Sequence, residues 1–130
     1  ISFSRRLKEK NITFMSEDFE QLEKYITKDT FFYCDPPYLI TLGSYNDGKR
    51  GFNGWNEENE IRLLEFLNKI DKVKGKFMLS NVIEHKGKEN QILKRWLKEH
   101  KNYRKIEYKG KARGRKEVII INYNKEEKND

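Results

Sequence analysis

The chain has 130 residues and a mass of 15.8 kDa, enough for one domain around one core and too short for two ordinary domains. It carries 28 basic and 21 acidic side chains, a net charge of +7, and a mean hydropathy of −1.01; its aromatic residues nonetheless gather in periodic segments, which argues against disorder. No run of about 18 apolar residues is present, so neither a membrane span nor a membrane partner is expected, and the single Cys34 excludes an intramolecular disulfide or a multi-cysteine zinc site and fits a reducing, cytoplasmic setting.

In chain order, Ile12-Thr13-Phe14-Met15 reads as a short strand. Ser16-Glu17-Asp18 reads as a helix start, followed by Phe19, Leu22, Tyr25 and Ile26 at helical spacing. Phe31-Phe32-Tyr33-Cys34 is a continuous apolar run, the pattern of a strand buried on both faces. Residues 39–54, with Gly43, Gly48, Gly51 and Gly54, predict a loop. Asn56 is placed to cap a helix whose apolar face is Ile61, Leu64, Leu67 and Ile70, flanked by Leu63 and Phe66. Lys76 to Leu79 predicts a second buried strand, stopped by Ser80-Asn81. Residues 89–99 predict a helix with Ile92, Leu93, Trp96 and Leu97 on one face; residues 103–108 and 117–123 predict two strands joined by a basic turn from Gly110 to Gly114.

The order β-α-β-α-β-α-β-β implies an α/β fold with a mostly parallel sheet and one antiparallel strand near the C-terminus. In open sheets of this kind, ligands bind beyond the carboxyl ends of the strands. That rule directs attention to Ser16–Asp18, Asp35–Tyr38 and Ser80-Asn81. The charge is also localised: residues 98–116 hold nine basic and two acidic side chains, the whole of the net excess. Such a patch is an electrostatic footprint for a polyanion, or else a solvated lysine-rich surface.

Asp35-Pro36-Pro37-Tyr38 carries the most specific chemistry. Two prolines fix the backbone and remove both N–H donors while leaving their carbonyls free to accept. Asp35 adds a carboxylate acceptor and Tyr38 an aromatic face with a phenolic tip. Two acceptors beside a stacking ring suit a planar ring bearing an amino group; a rigid turn with an incidental acid is the plainer alternative.

At the end of an apolar strand, this corner resembles the catalytic motif of the amino-group DNA methyltransferases, specifically the Dam-like adenine-N6 class. Ile12 to Phe19, the loop through Tyr45, Phe52 and Trp55, Phe77-Met78-Leu79-Ser80-Asn81, and Gly110 to Tyr123 resemble further segments of that class, in order, across roughly residues 1–124. The resemblance implies a partial Rossmann-like methyltransferase sheet and a double-stranded DNA substrate with a flipped adenine. It implies that Asp35 and the Pro36 carbonyl accept from the amino group and that Tyr38 stacks on the base. S-adenosylmethionine is the implied cofactor, with Ser16, Glu17, Asp18 and Asp35 at its site. Tyr45, Phe52, Lys109, Lys111, Arg113 and Arg115 are the implied DNA contacts, and no metal is implied. Cys34 as a nucleophile fits poorly, since it lies inside the apolar strand.

One departure is plain: members of this class carry a Phe-x-Gly-x-Gly loop for the cofactor, and no Gly-x-Gly occurs in this sequence. The chain is therefore expected to be a C-terminal catalytic part, inactive alone, lacking the cofactor-binding part and the target-recognition domain. The expected sheet has four core strands, 31–34, 77–79, 103–108 and 117–123. Strand 12–15 is expected to be displaced, re-paired or given to another copy, leaving the edge of 31–34 open for the missing part or a homodimer. Two other readings stand beside this one: a non-enzymatic basic nucleic-acid-binding domain, and a cytosine-N4 methyltransferase.

Overall fold

The computed structural model describes residues 10–14, 17–42, 55–109 and 114–123. Met15, the loop glycines 43, 48, 51 and 54, and Gly110 lie outside the described residues.

Alternation along the strands sets the layers. In β2 (Thr30–Cys34), Thr30, Phe32 and Cys34 are buried while Phe31 and Tyr33 are only half-buried. β2 runs parallel to β3 (Lys76–His85), with Phe32 opposite Phe77 and Cys34 opposite Leu79. Leu79 in turn faces Ile120 of the antiparallel β6 (Arg115–Ile121), so Phe32, Cys34, Phe77, Leu79, Ile120 and Val118 share one face. Phe66 of α2 (Glu57–Lys72) meets Phe32 edge-on at 5.7 Å, and Trp96 of α3 (Gln91–Glu99) meets Phe77 at 6.1 Å. Both helices therefore cover the same side of the sheet. Phe19, in the 3-10 helix Glu17–Tyr25, joins this layer against Phe14, Trp55 and Phe66. The opposite face carries Phe31, Tyr33, Met78 and Ile119, half-buried, with Ile106 and Tyr108 exposed at the edge.

The strand order is β1 (Lys10–Phe14), β2, β3, β6, β5 (Arg104–Lys109), with a two-residue β4 (Lys88–Glu89) on β3. The first three strands are mutually parallel, and β6 runs antiparallel between β3 and β5. The fold is thus α/β with a mixed sheet, and the four expected core strands are contiguous. Of the outcomes expected for the first strand, re-pairing is the one found: β1 pairs with β2 from Lys10↔Thr30 to Phe14↔Cys34. The expectation of an open edge on β2 is overturned. β1 satisfies that row of backbone groups, and the Asp35 N–H extends it by donating to the Phe14 carbonyl at 3.1 Å.

Local differences from the sequence reading have physical causes. The segment after β1 is a 3-10 helix rather than an α-helix, and Phe19, Leu22 and Tyr25 fit its three-residue turn. Leu39–Leu42 forms one helical turn, α1, at the start of the expected loop. Ser80-Asn81 does not stop β3, because Ser80 and Asn81 stay in the ladder opposite Ile119 and Val118 and the strand continues through a bulge between Val82 and Glu84. It ends at a tight turn in which Lys86 and Gly87 both have positive φ, at 50° and 84°, which β4 closes as a hairpin. In α2 the buried face is Leu63, Leu64, Phe66, Leu67 and Ile70; Ile61 points outward at 44% exposure. Asn56 caps this helix as expected, in a reciprocal capping box with Asn59.

β6 ends at Ile121, and the next side chain continues the pairing. Asn122 Oδ1 accepts from the Phe77 N–H at 2.8 Å, and its Nδ2 donates to the Gly75 carbonyl at 3.0 Å and to Asp71 Oδ1 at 2.8 Å. Gly75 sits in a tight place: a Cβ there would lie 2.8 Å from the Thr27 carbonyl oxygen and 2.9 Å from Ile70 Cγ2. Gly75→Ala is therefore expected to destabilise the fold by about 1–3 kcal/mol, read as a lower midpoint in urea unfolding.

Candidate active site

The carboxyl end of β2 delivers the corner. Asp35 is half-buried, Pro36 is buried, and Pro37 and Tyr38 are half-buried before α1 begins at Leu39. Tyr38 folds back so that its hydroxyl donates to Asp35 Oδ1 at 3.1 Å and lies 3.3 Å from Ser80 Oγ, beyond the β2-paired part of β3. Two neighbouring parallel strands thus supply one cluster, Asp35, Tyr38 and Ser80. A separate cavity of about 320 Å³ lies between α1, the start of α2 and the β4–α3 corner, and none of these three residues lines it.

The Arg115 guanidinium lies 5.9 Å from the Tyr38 ring centroid, and its Nη1 is 3.6 Å from Glu117 Oε2. Glu117 also accepts from the Tyr108 hydroxyl at 3.0 Å. Arg115, expected as a phosphate contact, lies beside the Asp35–Tyr38 corner. Of the other expected residues, Lys109 is exposed at the end of β5, in register with Lys116. Glu17 and Asp18 open the 3-10 helix. Ser16, Tyr45, Phe52, Lys111 and Arg113 lie outside the described residues. The structure therefore brings together Asp35, Pro36, Tyr38 and Arg115, and adds Ser80.

Burial is the main cause pushing the Tyr38 phenol up to about 12; the charges of Asp35 and Glu117 push the same way, and the Ser80 hydrogen bond opposes them. Burial, with the negative charges of Glu60 and Asp35, holds the Cys34 thiol far above its ordinary value, so it is an inert core residue.

Sequence reasoning missed Glu60. Its carboxylate is fully buried and accepts from Trp55 Nε1 at 2.8 Å, Asn81 Nδ2 at 3.0 Å and Asn90 Nδ2 at 3.0 Å. Burial raises its affinity for a proton, and these three donors pull the other way. Asn81 and Asn90 are themselves satisfied, accepting from the Val82 and Leu93 N–H groups. The hint in the sequence was an acid five residues after a tryptophan, hidden among the acids of a helix start. The half-buried His100 ring stacks on Tyr103, 4.6 Å away and nearly parallel.

A strand-end acid, two prolines and a tyrosine hydrogen-bonded back to that acid thus form one corner at the end of β2. Residues 1–112 match the family model of the D12 class N6 adenine-specific DNA methyltransferases, and the chain belongs to this family. It is 52% identical over 97 residues to the modification methylase LlaI of Lactococcus lactis subsp. lactis, covering 74% of this chain and 16% of that protein. It is 42% identical over 132 residues to the modification methylase StsI of Streptococcus sanguinis, covering 95% and 20%. The type II methyltransferase M.FokI of Planomicrobium okeanokoites is 40% identical over 130 residues, again covering 95% and 20%. The chain thus spans a fifth or less of the length of these relatives.

The Tyr38 environment has a measurable consequence. A phenol raised from 10.0 to about 12 favours the neutral form in the fold. Its contribution to stability is complete below pH 10 and is lost as the pH rises through about 12. The Tyr38 ¹³Cζ resonance is expected to show no ionisation up to about pH 11, and Asp35→Asn should bring its titration down, because the Asp35 charge and hydrogen bond both push it up.

Proposed function

We propose that this chain is the catalytic part of a site-specific DNA-adenine methyltransferase that transfers a methyl group from S-adenosylmethionine to the exocyclic amino group of a flipped adenine. The observation carrying this reading is the Asp35–Tyr38–Ser80 cluster at the carboxyl end of two parallel strands, in a chain of the adenine-N6 family. The adenine specificity of that family favours adenine over cytosine-N4.

The chemistry asked of these residues is positional and electrostatic. An exocyclic amine on an aromatic ring is a poor nucleophile, because its lone pair is delocalised. Asp35 and the Pro36 carbonyl accept its two hydrogens, which draws the lone pair back onto nitrogen. Asp35 Oδ2 carries no hydrogen bond among the described residues, so one acceptor is open even while Tyr38 holds Oδ1. Tyr38 stacks on the base, and Arg115 over its ring restrains the ring plane. S-adenosylmethionine, when bound, supplies an electrophilic methyl group. The open carboxylate oxygen at a strand end suits the amine and cofactor side of such a site; Glu17, Asp18 and Ser16 are the other residues proposed to hold the cofactor. Lys109, Lys111 and Arg113 are proposed to meet DNA phosphates. The sheet is read as part of a Rossmann-like methyltransferase sheet. The isolated chain is proposed to bind the cofactor weakly and to be inactive.

Radiolabelled methyl transfer to duplex DNA tests this, with the chain alone and embedded in a full-length methylase of the family. The chain alone should give no transfer. In the full-length context Asp35→Ala should lower transfer by about 10²–10³-fold with folding and DNA affinity retained. Undiminished transfer would reject Asp35 as the amine acceptor.

A further inference from the structure

We infer that Glu60 is a positioning residue for the Asp35 corner, fixing the β3 segment that holds Tyr38 and joining it to Trp55. The inference rests on the methyltransferase reading for its meaning in catalysis, but its geometry stands independently.

Three elements converge on one buried carboxylate. Trp55, itself 2% exposed, is the first described residue after position 54 and donates to Oε1. Asn81, next to the Ser80 that touches Tyr38, and Asn90, the cap of α3, both donate to Oε2. A carboxylate is the side chain that can accept all three, because it has two oxygens and no donor when ionised. No lysine, arginine or histidine pairs with it among the described residues, so these neutral N–H groups supply its compensation. Their geometry is fixed in turn, since Asn81 and Asn90 are held through Val82 and Leu93. A shift of the carboxylate moves Asn81, hence Ser80, hence the hydroxyl contact that orients Tyr38 on Asp35.

Glutamine separates this account from simple packing. With its oxygen toward Asn81 and Asn90, its NH₂ would face the Trp55 N–H, donor against donor; turned over, it would face two donors instead of one. Trp55→Phe removes the opposing donor. The single variant E60Q is therefore expected to expose the Trp55 indole N–H, accelerating its exchange by about tenfold to a hundredfold. It should also displace the Tyr38 ¹³Cζ resonance at neutral pH in the same direction as Ser80→Ala does. The double variant W55F/E60Q should return Tyr38 to its wild-type position. In a full-length methylase carrying this chain, E60Q should lower kcat by about tenfold with KM for DNA unchanged, as loss of a transition-state arrangement does.

If E60Q loosens Trp55 while Tyr38 stays at its wild-type resonance and S80A moves it, Glu60 is structural only and the proposal is overturned. Failure of both E60Q and W55F/E60Q to fold also overturns it, because removal of the clash was the predicted remedy. Absence of methyl transfer in the wild-type context would count against the proposed function, while the Tyr38 measurement would still decide the positioning role.

Discussion

A carboxylate taken out of water has to be met by N–H groups, and that requirement organises this molecule around Glu60. Its three donors come from Trp55, from the middle of β3 and from the cap of α3. Each donor is also an anchor: Trp55 packs on Phe19, Asn90 starts α3, and Asn81 keeps β3 in line with β6. The 3-10 helix, α2, α3 and the central strands thus meet around one polar knot within an otherwise apolar layer. Burial of an unpaired carboxylate would be costly, and removing any one donor leaves part of that cost exposed.

The Asp35–Tyr38 corner adjoins this knot through Ser80 and Asn81. The two prolines stiffen the chain where β2 ends, and the pairing of Asp35 with Phe14 holds the first corner residue to β1. Tyr38 is then held from two sides, by Asp35 and Ser80 at its hydroxyl and by Arg115 over its ring. The Tyr38 ring is in this way held in one orientation, the general route by which a site avoids an ordering cost on binding.

Elements whose patterns were local were legible in the sequence. The Phe31–Cys34 run announced β2, Asn56 announced the capped helix, and the last two strands announced an antiparallel pair. The Asp35 corner was legible because its residue types have few other uses at a strand end. What escaped reading was set by distant partners. Ser80-Asn81 looks like a stop, yet β6 and Glu60 keep it within the sheet. Arg115 looks like one more cation in a basic stretch, yet register places it beside Tyr38. The pairing of β1 with β2 depends on which strands are present to compete for that edge, which no local pattern encodes.

The place of β6 bears on how the molecule comes into being. Its residues are nearly the last of the described chain, yet it lies in the interior of the sheet, between β3 and β5, and the Asn122 side chain binds the start of β3 to the turn after α2. A polypeptide emerges from the ribosome N-terminus first. β3 and β5 have no direct pairing to hold them together while they wait, so the sheet closes only after residue 122 has left the exit tunnel. The parallel pairings of β1, β2 and β3 involve only residues made earlier, whereas β5 joins the sheet only through β6. Truncation a few residues short of this point would therefore remove the keystone of the sheet rather than trim its margin.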